Sequence, residues 1–239
     1  MLLGKGRGKL LDVKGIDVAY GRAKVLHDVS LQLNQGEVVF IVGRNGAGKT
    51  TLLRTISGLM KPSKGSIVYD GEDTHGLSSA KLAQKGVRYV AQDKKVFSHL
   101  TVRDNIELGA YAAGEDMSRA IQRITDIYPK LNDLMDNKAG GLSGGEREIL
   151  LIGRALVGNP RLFLIDEPTE GLAAIVIEDV FRILSQMKRD NVSAVIVEQN
   201  LSIVNRLADR VYIMKEGKII REISETSEMA DTKELESYL

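Results

Sequence analysis

At 239 residues the chain is long enough for one large domain or a core with an inserted lobe. Lys and Arg number 33 against 32 Asp and Glu, and this formal charge of +1 gives no global attraction to nucleic acid. Cysteine is absent, which excludes a disulfide framework and thiolate metal sites and suits a reducing cytoplasm.

The start, Met1-Leu2-Leu3 followed at once by Gly4-Lys5-Gly6-Arg7-Gly8-Lys9, lacks the pattern of a signal peptide and reads as a frayed basic tail. Short β-prone segments follow at residues 13–18, 29–33 and 66–69, separated by turns such as Asn34-Gln35-Gly36 and Asp70-Gly71. Val38–Val42 is a continuous apolar run, as expected of a central parallel strand covered on both faces. The longest apolar runs are of this length, far short of a membrane span.

Directly after that strand stand Gly43, Arg44, Asn45, Gly46, Ala47, Gly48, Lys49, Thr50 and Thr51, and then Leu52, Leu53, Ile56, Leu59 and Met60 at helical spacing. This fits a nucleotide phosphate-binding loop at all four of its fixed positions. Its glycines let backbone N–H groups turn inward around an anion, and the following helix adds its positive end. Lys49 is expected to reach the β- and γ-phosphates, and the Thr50 hydroxyl to hold Mg²⁺. The chain is therefore expected to bind a nucleoside triphosphate.

Further along, Val87-Arg88-Tyr89-Val90-Ala91 reads as a strand whose exit carries Gln92. The amide of Gln92 is a candidate for Mg²⁺ or the attacking water. A glutamine at a strand exit is ordinarily only solvated, so it gains weight from its neighbours alone. From about Leu100 the character becomes helical: Thr101 and Asp104 offer a cap, and Gly114 interrupts helix formers between Ala110 and Tyr128. Leu142-Ser143-Gly144-Gly145-Glu146 then opens another helix, with Ser143 and Glu146 spaced as a capping box and two glycines offering an anion site. After Pro160, strands and helices alternate over residues 162–165, 175–187, 194–197, 201–208 and 211–214, which argues for a parallel sheet with helices on both faces.

The strand Leu162-Phe163-Leu164-Ile165 ends in Asp166 and Glu167. Paired acids at the end of a buried strand are costly unless they face a ligand or metal. Asp166 is expected on Mg²⁺, and Glu167 on the water that attacks the γ-phosphate. Another apolar strand ends at Gln199. The three histidines, His27, His75 and His99, are too dispersed for a metal site.

In this order the motifs resemble the ABC-transporter ATPases over nearly the whole chain. The resemblance implies an α/β fold of the P-loop NTPase kind: a RecA-like parallel sheet core, an N-terminal antiparallel β subdomain and an inserted helical signature subdomain. Residues 10–93 and 157–239 would form the nucleotide-binding core with its β subdomain, and 94–156 the helical part. It further implies adenine stacking on Tyr20, a glutamine-loop role for Gln92, and head-to-tail pairing with a second ATPase subunit, the same or a similar chain. Each ATP would then lie between one phosphate loop and the partner's Ser143-Gly144-Gly145 segment.

Two departures narrow the subgroup: Gln199 stands where most members have histidine, and Ala173 where most have aspartate. Glu170-Gly171-Leu172-Ala173, Val197-Glu198-Gln199-Asn200 and the Ser237-Tyr238-Leu239 ending are similar to the ATPases of branched-chain amino-acid and urea importers, although relatives there usually carry proline at Ala174. Gln199 can donate a hydrogen bond to phosphate but cannot carry a proton as histidine does. Glu146 replaces a commoner glutamine and either faces phosphate or turns back to cap its own helix.

The function so implied is hydrolysis of Mg·ATP at the cytoplasmic face of a membrane, energising import of a small polar solute. A separate permease would dock between Asp93 and Val102 on Phe97 and Leu100. An ATPase of an export or lipid-handling system is the nearest alternative. A soluble mechanical ATPase would be expected to show a second ATPase unit, a long coiled coil or basic patches, and this chain has none of them.

Overall fold

The computed structural model describes residues 8–93, 95–158 and 160–224. Most of the basic start, Lys94 within the expected docking stretch, and the Ser237-Tyr238-Leu239 ending lie outside the described residues.

β1 (Lys9–Tyr20) and β2 (Ala23–Asn34) pair antiparallel and are longer than the short segments legible in the sequence. The register shifts between Val13 and Ile16, where Gly15 sits at φ 55°, so a residue that breaks the alternation is absorbed as a bulge. β3 (Val38–Val42) is buried throughout, and α1 (Lys49–Ile56) follows it across the glycine-rich loop. β4 (Lys64–Tyr69) and β5 (Glu72–Asp73) complete a four-stranded antiparallel sheet in the order β2-β1-β4-β5. α2 (Ser79–Gln84), capped by Ser78, leads to β6 (Val87–Val90).

The helical stretch begins with α3 (Val102–Ala113), closed at its start by a Thr101–Asp104 capping box and at its end by Gly114 in the left-handed region. α4 (Met117–Ile127) and α5 (Gly144–Ala155) follow. The chain then runs through β7 (Leu162–Asp166), α6 (Ala174–Arg189), β8 (Ser193–Val197), α7 (Leu201–Leu207), β9 (Arg210–Lys215) and β10 (Lys218–Ile223).

The second sheet has the order β10-β9-β3-β8-β7-β6. The four pairings from β9 to β6 are parallel, and only β10 runs antiparallel, at the edge. Alternate residues of its strands feed two separate cores. Phe40, Phe163, Ile165 and Ile196 pack with the helical side, including Ile106, Ile149 and Val180. Val39, Ile41, Leu164 and Val195 pack with the antiparallel sheet and α1, including Val13, Leu31 and Leu52. The period-two side-chain rule thus explains why these strands read as unbroken apolar runs. Parallel pairing brings the carboxyl ends of β3, β6, β7 and β8 to one edge, where open parallel sheets bind ligands.

Candidate nucleotide site

Leaving β3, the chain turns through Gly43 to Gly48 and enters α1 without a side-chain cap. Gly46 and Gly48 have φ of 82° and 103°, and a Cβ at Gly48 would sit 2.8 Å from a Leu26 methyl. Only glycine fits there, so the backbone N–H groups at the start of α1 remain available to an anion.

Lys49 is 4% exposed. Its Nζ donates to the carbonyls of Gly43 (2.7 Å) and Arg44 (3.2 Å) and lies 3.3 Å from Oε1 of Glu167. Glu167, buried and held at φ 49°, also accepts from Nε2 of Gln199 (2.8 Å) and Nε2 of Gln92 (3.0 Å). The fold therefore gathers Lys49, Gln92 and Gln199 on one carboxylate. These are the groups expected to face a γ-phosphate, and here an internal anion holds them. Gln199 donates as well to Oδ1 of Asn45 (2.8 Å), and Gln92 to Oε2 of Glu170 (2.7 Å). Asn45, Glu167, Thr169, Glu170, Glu198, Gln199 and Asn200 line a cavity of about 230 Å³.

Asp166, the last residue of β7, accepts from Thr50 Oγ1 at 3.2 Å and from the Tyr89 hydroxyl at 3.2 Å. Burial raises its pKa above the usual carboxylate value, against the lowering effect of those two donors. The same burial, with the nearby Asp166 charge, pushes the Tyr89 phenol up. A buried carboxylate oxygen beside a hydroxyl is a donor set suited to a hard divalent cation. Among the described residues no group of three or more His, Asp or Glu side chains is placed to hold a metal ion, so Mg²⁺ would need phosphate oxygens to complete its shell. Gln92 reaches Glu167 and Glu170 rather than Asp166.

The raised pKa has a consequence for stability. The folded chain holds a proton on Asp166 more tightly than the unfolded chain does. That contribution is present below the ordinary value of 3.8 and is lost as pH rises through the folded-state pKa. At pH 7 the ionised group is therefore a burden, and Asp166→Asn is expected to stabilise the nucleotide-free chain while lowering ATP turnover. A gain of about 1 kcal/mol would raise Tm by roughly 2–4 °C in a chain of this size. The gain should shrink toward pH 4, and melting curves at the two pH values check this. An unchanged Tm at pH 7 would rule out burial as the dominant cause.

Tyr20 ends β1 and is half exposed. At α5, Ser143 and Glu146 form the capping box: the Ser143 N–H donates to Glu146 Oε2 (2.8 Å), and the Glu146 N–H to Ser143 Oγ (3.2 Å). Glu146 therefore turns back on its own helix. Gly145 packs so closely on α6 that a Cβ would lie 2.5 Å from a Val176 methyl. Ser143 and Gly144 are exposed, and Ser143 bonds within its box rather than to the phosphate loop of its own chain. α6 starts after Ala173 with no side-chain cap.

Three residues that sequence reasoning did not single out belong to this edge. Tyr89 holds Asp166, while Thr169 and Glu198 join the loops after β7 and β8. The available signal for Glu198 was a carboxylate directly after an apolar strand and directly before Gln199.

The family profile described as ABC transporter matches residues 26–170. The chain is 37% identical over 231 residues to a high-affinity branched-chain amino acid transport ATP-binding protein of Pseudomonas aeruginosa, covering 96% of this chain and 99% of that one. It is 32% identical to a lipopolysaccharide export system ATP-binding protein of Haemophilus influenzae, covering 96% and 97%. Among solved structures, the ADP conformation of an ABC transporter's ATP-binding cassette superposes with a TM-score of 0.83 at 31% identity, covering 96% and 98%. A dimeric cassette in a post-hydrolysis state bound to ADP and Pi gives 0.81 at 26% identity, covering 90% and 98%.

Proposed function

Since this chain belongs to the ABC transporter family and is one of its ATP-hydrolysing cassettes, we propose that it energises import of a small polar solute through a separate membrane subunit. Branched-chain or other amino acids come first as solute, urea or amides next. The observation that carries the catalytic reading is the convergence of Lys49, Gln92 and Gln199 on Glu167 at the strand ends. The solute class rests on the Pseudomonas relative, which aligns end to end. The lipopolysaccharide export relative supports a second reading, an exporter's ATPase, at somewhat lower identity.

In this proposal ATP binds with its adenine on Tyr20 and its phosphates in the loop from Gly43 to Thr51. Lys49 and Gln199 then exchange Glu167 for the γ-phosphate, which frees the Glu167 carboxylate to orient and deprotonate water. Mg²⁺ held by Thr50 and Asp166 would supply charge neutralisation on the β- and γ-oxygens. Ser143, Gly144 and Gly145 of a second subunit close the site head to tail. Residues 10–93 and 157–239 act as the nucleotide-binding core, and 94–156 as the helical part that meets the permease.

The docking groove is placed beside α3, α5 and β6, where Tyr89, Phe97, Leu108, Tyr111 and Arg154 line about 860 Å³. Phe97 is 53% exposed, with the Arg154 guanidinium 5.3 Å from its ring centre, whereas Leu100 is partly buried. No helix among the described residues is long and apolar enough to cross a membrane, so the proposal places the chain peripherally on the cytoplasmic face. Phe97→Ala is expected to abolish solute uptake by the reconstituted transporter and to leave ATP hydrolysis of the isolated chain within about twofold of the parent, as for an exposed side chain outside the core. Parallel loss of both activities, with a lowered Tm, would instead assign Phe97 to packing.

A further inference from the structure

Glu198 is 2% exposed and is not among the residues assigned a chemical step. Its Oε1 accepts from the Thr169 N–H (3.0 Å) and the Thr169 hydroxyl (2.5 Å). Its Oε2 accepts from the N–H groups of Gln199 (2.8 Å) and Asn200 (2.9 Å). Four donors fill the acceptor capacity of one carboxylate. Two of the three residues gripped flank the reacting edge: Thr169 lies two positions after Glu167, and Gln199 is the group that donates to it. The Glu167 N–H also donates to the Val197 carbonyl at 3.0 Å, so backbone and side chain tie the same two loops.

We propose that Glu198 is a positioning residue: it clamps the loop after β7 to the loop after β8, so that Gln199 and the interface loop from Thr169 to Ala173 respond to the γ-phosphate as one body. The proposal rests on the reading of Glu167 and Gln199 as the groups that face that phosphate. Its physical content is geometric. The side chain is long enough to span both loops, and both of its oxygens are needed. A glutamine has one acceptor oxygen and would set its NH₂ against at least one buried backbone N–H donor. An aspartate is one methylene shorter and would release one of the two loops.

The test is a double-mutant cycle on the full chain in its transporter complex, read as kcat and KM for ATP. Glu198→Gln is expected to lower kcat by roughly 10- to 100-fold, the cost of misplacing a site group by about 1 Å, with a smaller change in KM. Combined with Gln199→Ala it should lower kcat by clearly less than the product of the two separate losses, since part of its effect runs through Gln199. Thr169→Val, which deletes only the hydroxyl contact, should move kcat in the same direction by less and serves if Glu198→Gln folds poorly. Hydrogen exchange adds a readout independent of turnover: the amides of Thr169, Gln199 and Asn200 should lose protection together in Glu198→Gln while α1 keeps its own. Additive losses in the cycle, or unchanged exchange at those three amides, overturn the role of Glu198 when Glu167→Gln is inactive. If Glu167→Gln turns over like the parent, the underlying reading of the site fails and takes the proposal with it.

Discussion

Glu167→Gln is expected to cut ATP turnover by about 100-fold or more, the scale of a lost general base, while ATP remains bound. Two features of the carboxylate lead to this. First, it is buried and held at a positive φ at the exit of β7, where a non-glycine residue is kept only by the surrounding structure. The group is thus pre-placed at the edge of the cavity rather than swinging into it. Second, in the nucleotide-free chain it is the anion that Lys49, Gln92 and Gln199 share. A bound γ-phosphate must compete with it for Lys49 and Gln199. Replacing the carboxylate by an amide removes the proposed base and weakens the competitor at once, so ATP affinity should hold or rise as turnover falls. Phosphate release and equilibrium ATP binding measure the two effects separately. Turnover near the parental rate would remove Glu167 from the chemistry, and a large loss of ATP affinity would show that it supports the loop rather than competing with the phosphate.

That pair of effects depends on a contact the sequence does not display. Lys49 and Glu167 meet because β3 and β7 are next-nearest neighbours in the sheet, both flanking β8. What was legible is the set of strand exits. β3, β7 and β8 are buried on both faces, so their apolar runs are unbroken and the polar residues at each exit stand out: the phosphate loop, Asp166 with Glu167, and Gln199 one position past Glu198. Both capping boxes were legible for the same local reason, since donor and acceptor lie three residues apart. Glu198 was not. As one acid in a polar string it looks solvated, and its partner Thr169 is brought to it only by the pairing of β7 with β8, in which Asp166 faces Val197.

The edge strand β10 escaped notice for a different reason. Its burial alternates weakly, and its pairing is set by the Glu216-Gly217 turn, where both residues have positive φ, 47° and 73°, as a type I′ hairpin requires. Glutamate is an unusual first residue for that turn. Gly217 carries the constraint, because a Cβ there would lie 2.0 Å from the Val25 carbonyl oxygen. Likewise the lengths of β1 and β2 follow from bulges that interrupt the alternation on which strand recognition depends.

Two variants that are each inactive should regain ATP hydrolysis when mixed, if two copies of this chain share their sites. Lys49→Ala removes the only side-chain cation that the structure places on Glu167 among the described residues, and with it the expected contact to the β- and γ-phosphates. Gly144→Glu acts on the other half of the site. Nothing lies within 4 Å of a Cβ at Gly144, and an acid in the first turn of α5 suits that helix end, so the chain itself tolerates the change. What it does not suit is a phosphate approaching the exposed Ser143-Gly144 edge from another subunit, which would meet a like charge. In a mixed dimer one site combines both lesions, and the other combines an intact Lys49 with an intact Gly144. Random pairing at equal concentrations makes half the dimers mixed, so about a quarter of the sites are whole under head-to-tail twofold assembly. Hydrolysis at up to about that fraction of the parental rate, from two chains that are silent alone, is the expected result. A silent mixture, with both variants folded and exchanging subunits, would mean that the second half-site comes from a different ATPase. The exposed Ser143-Gly144 edge of this chain would then be built to face that chain's phosphate loop rather than a copy of its own.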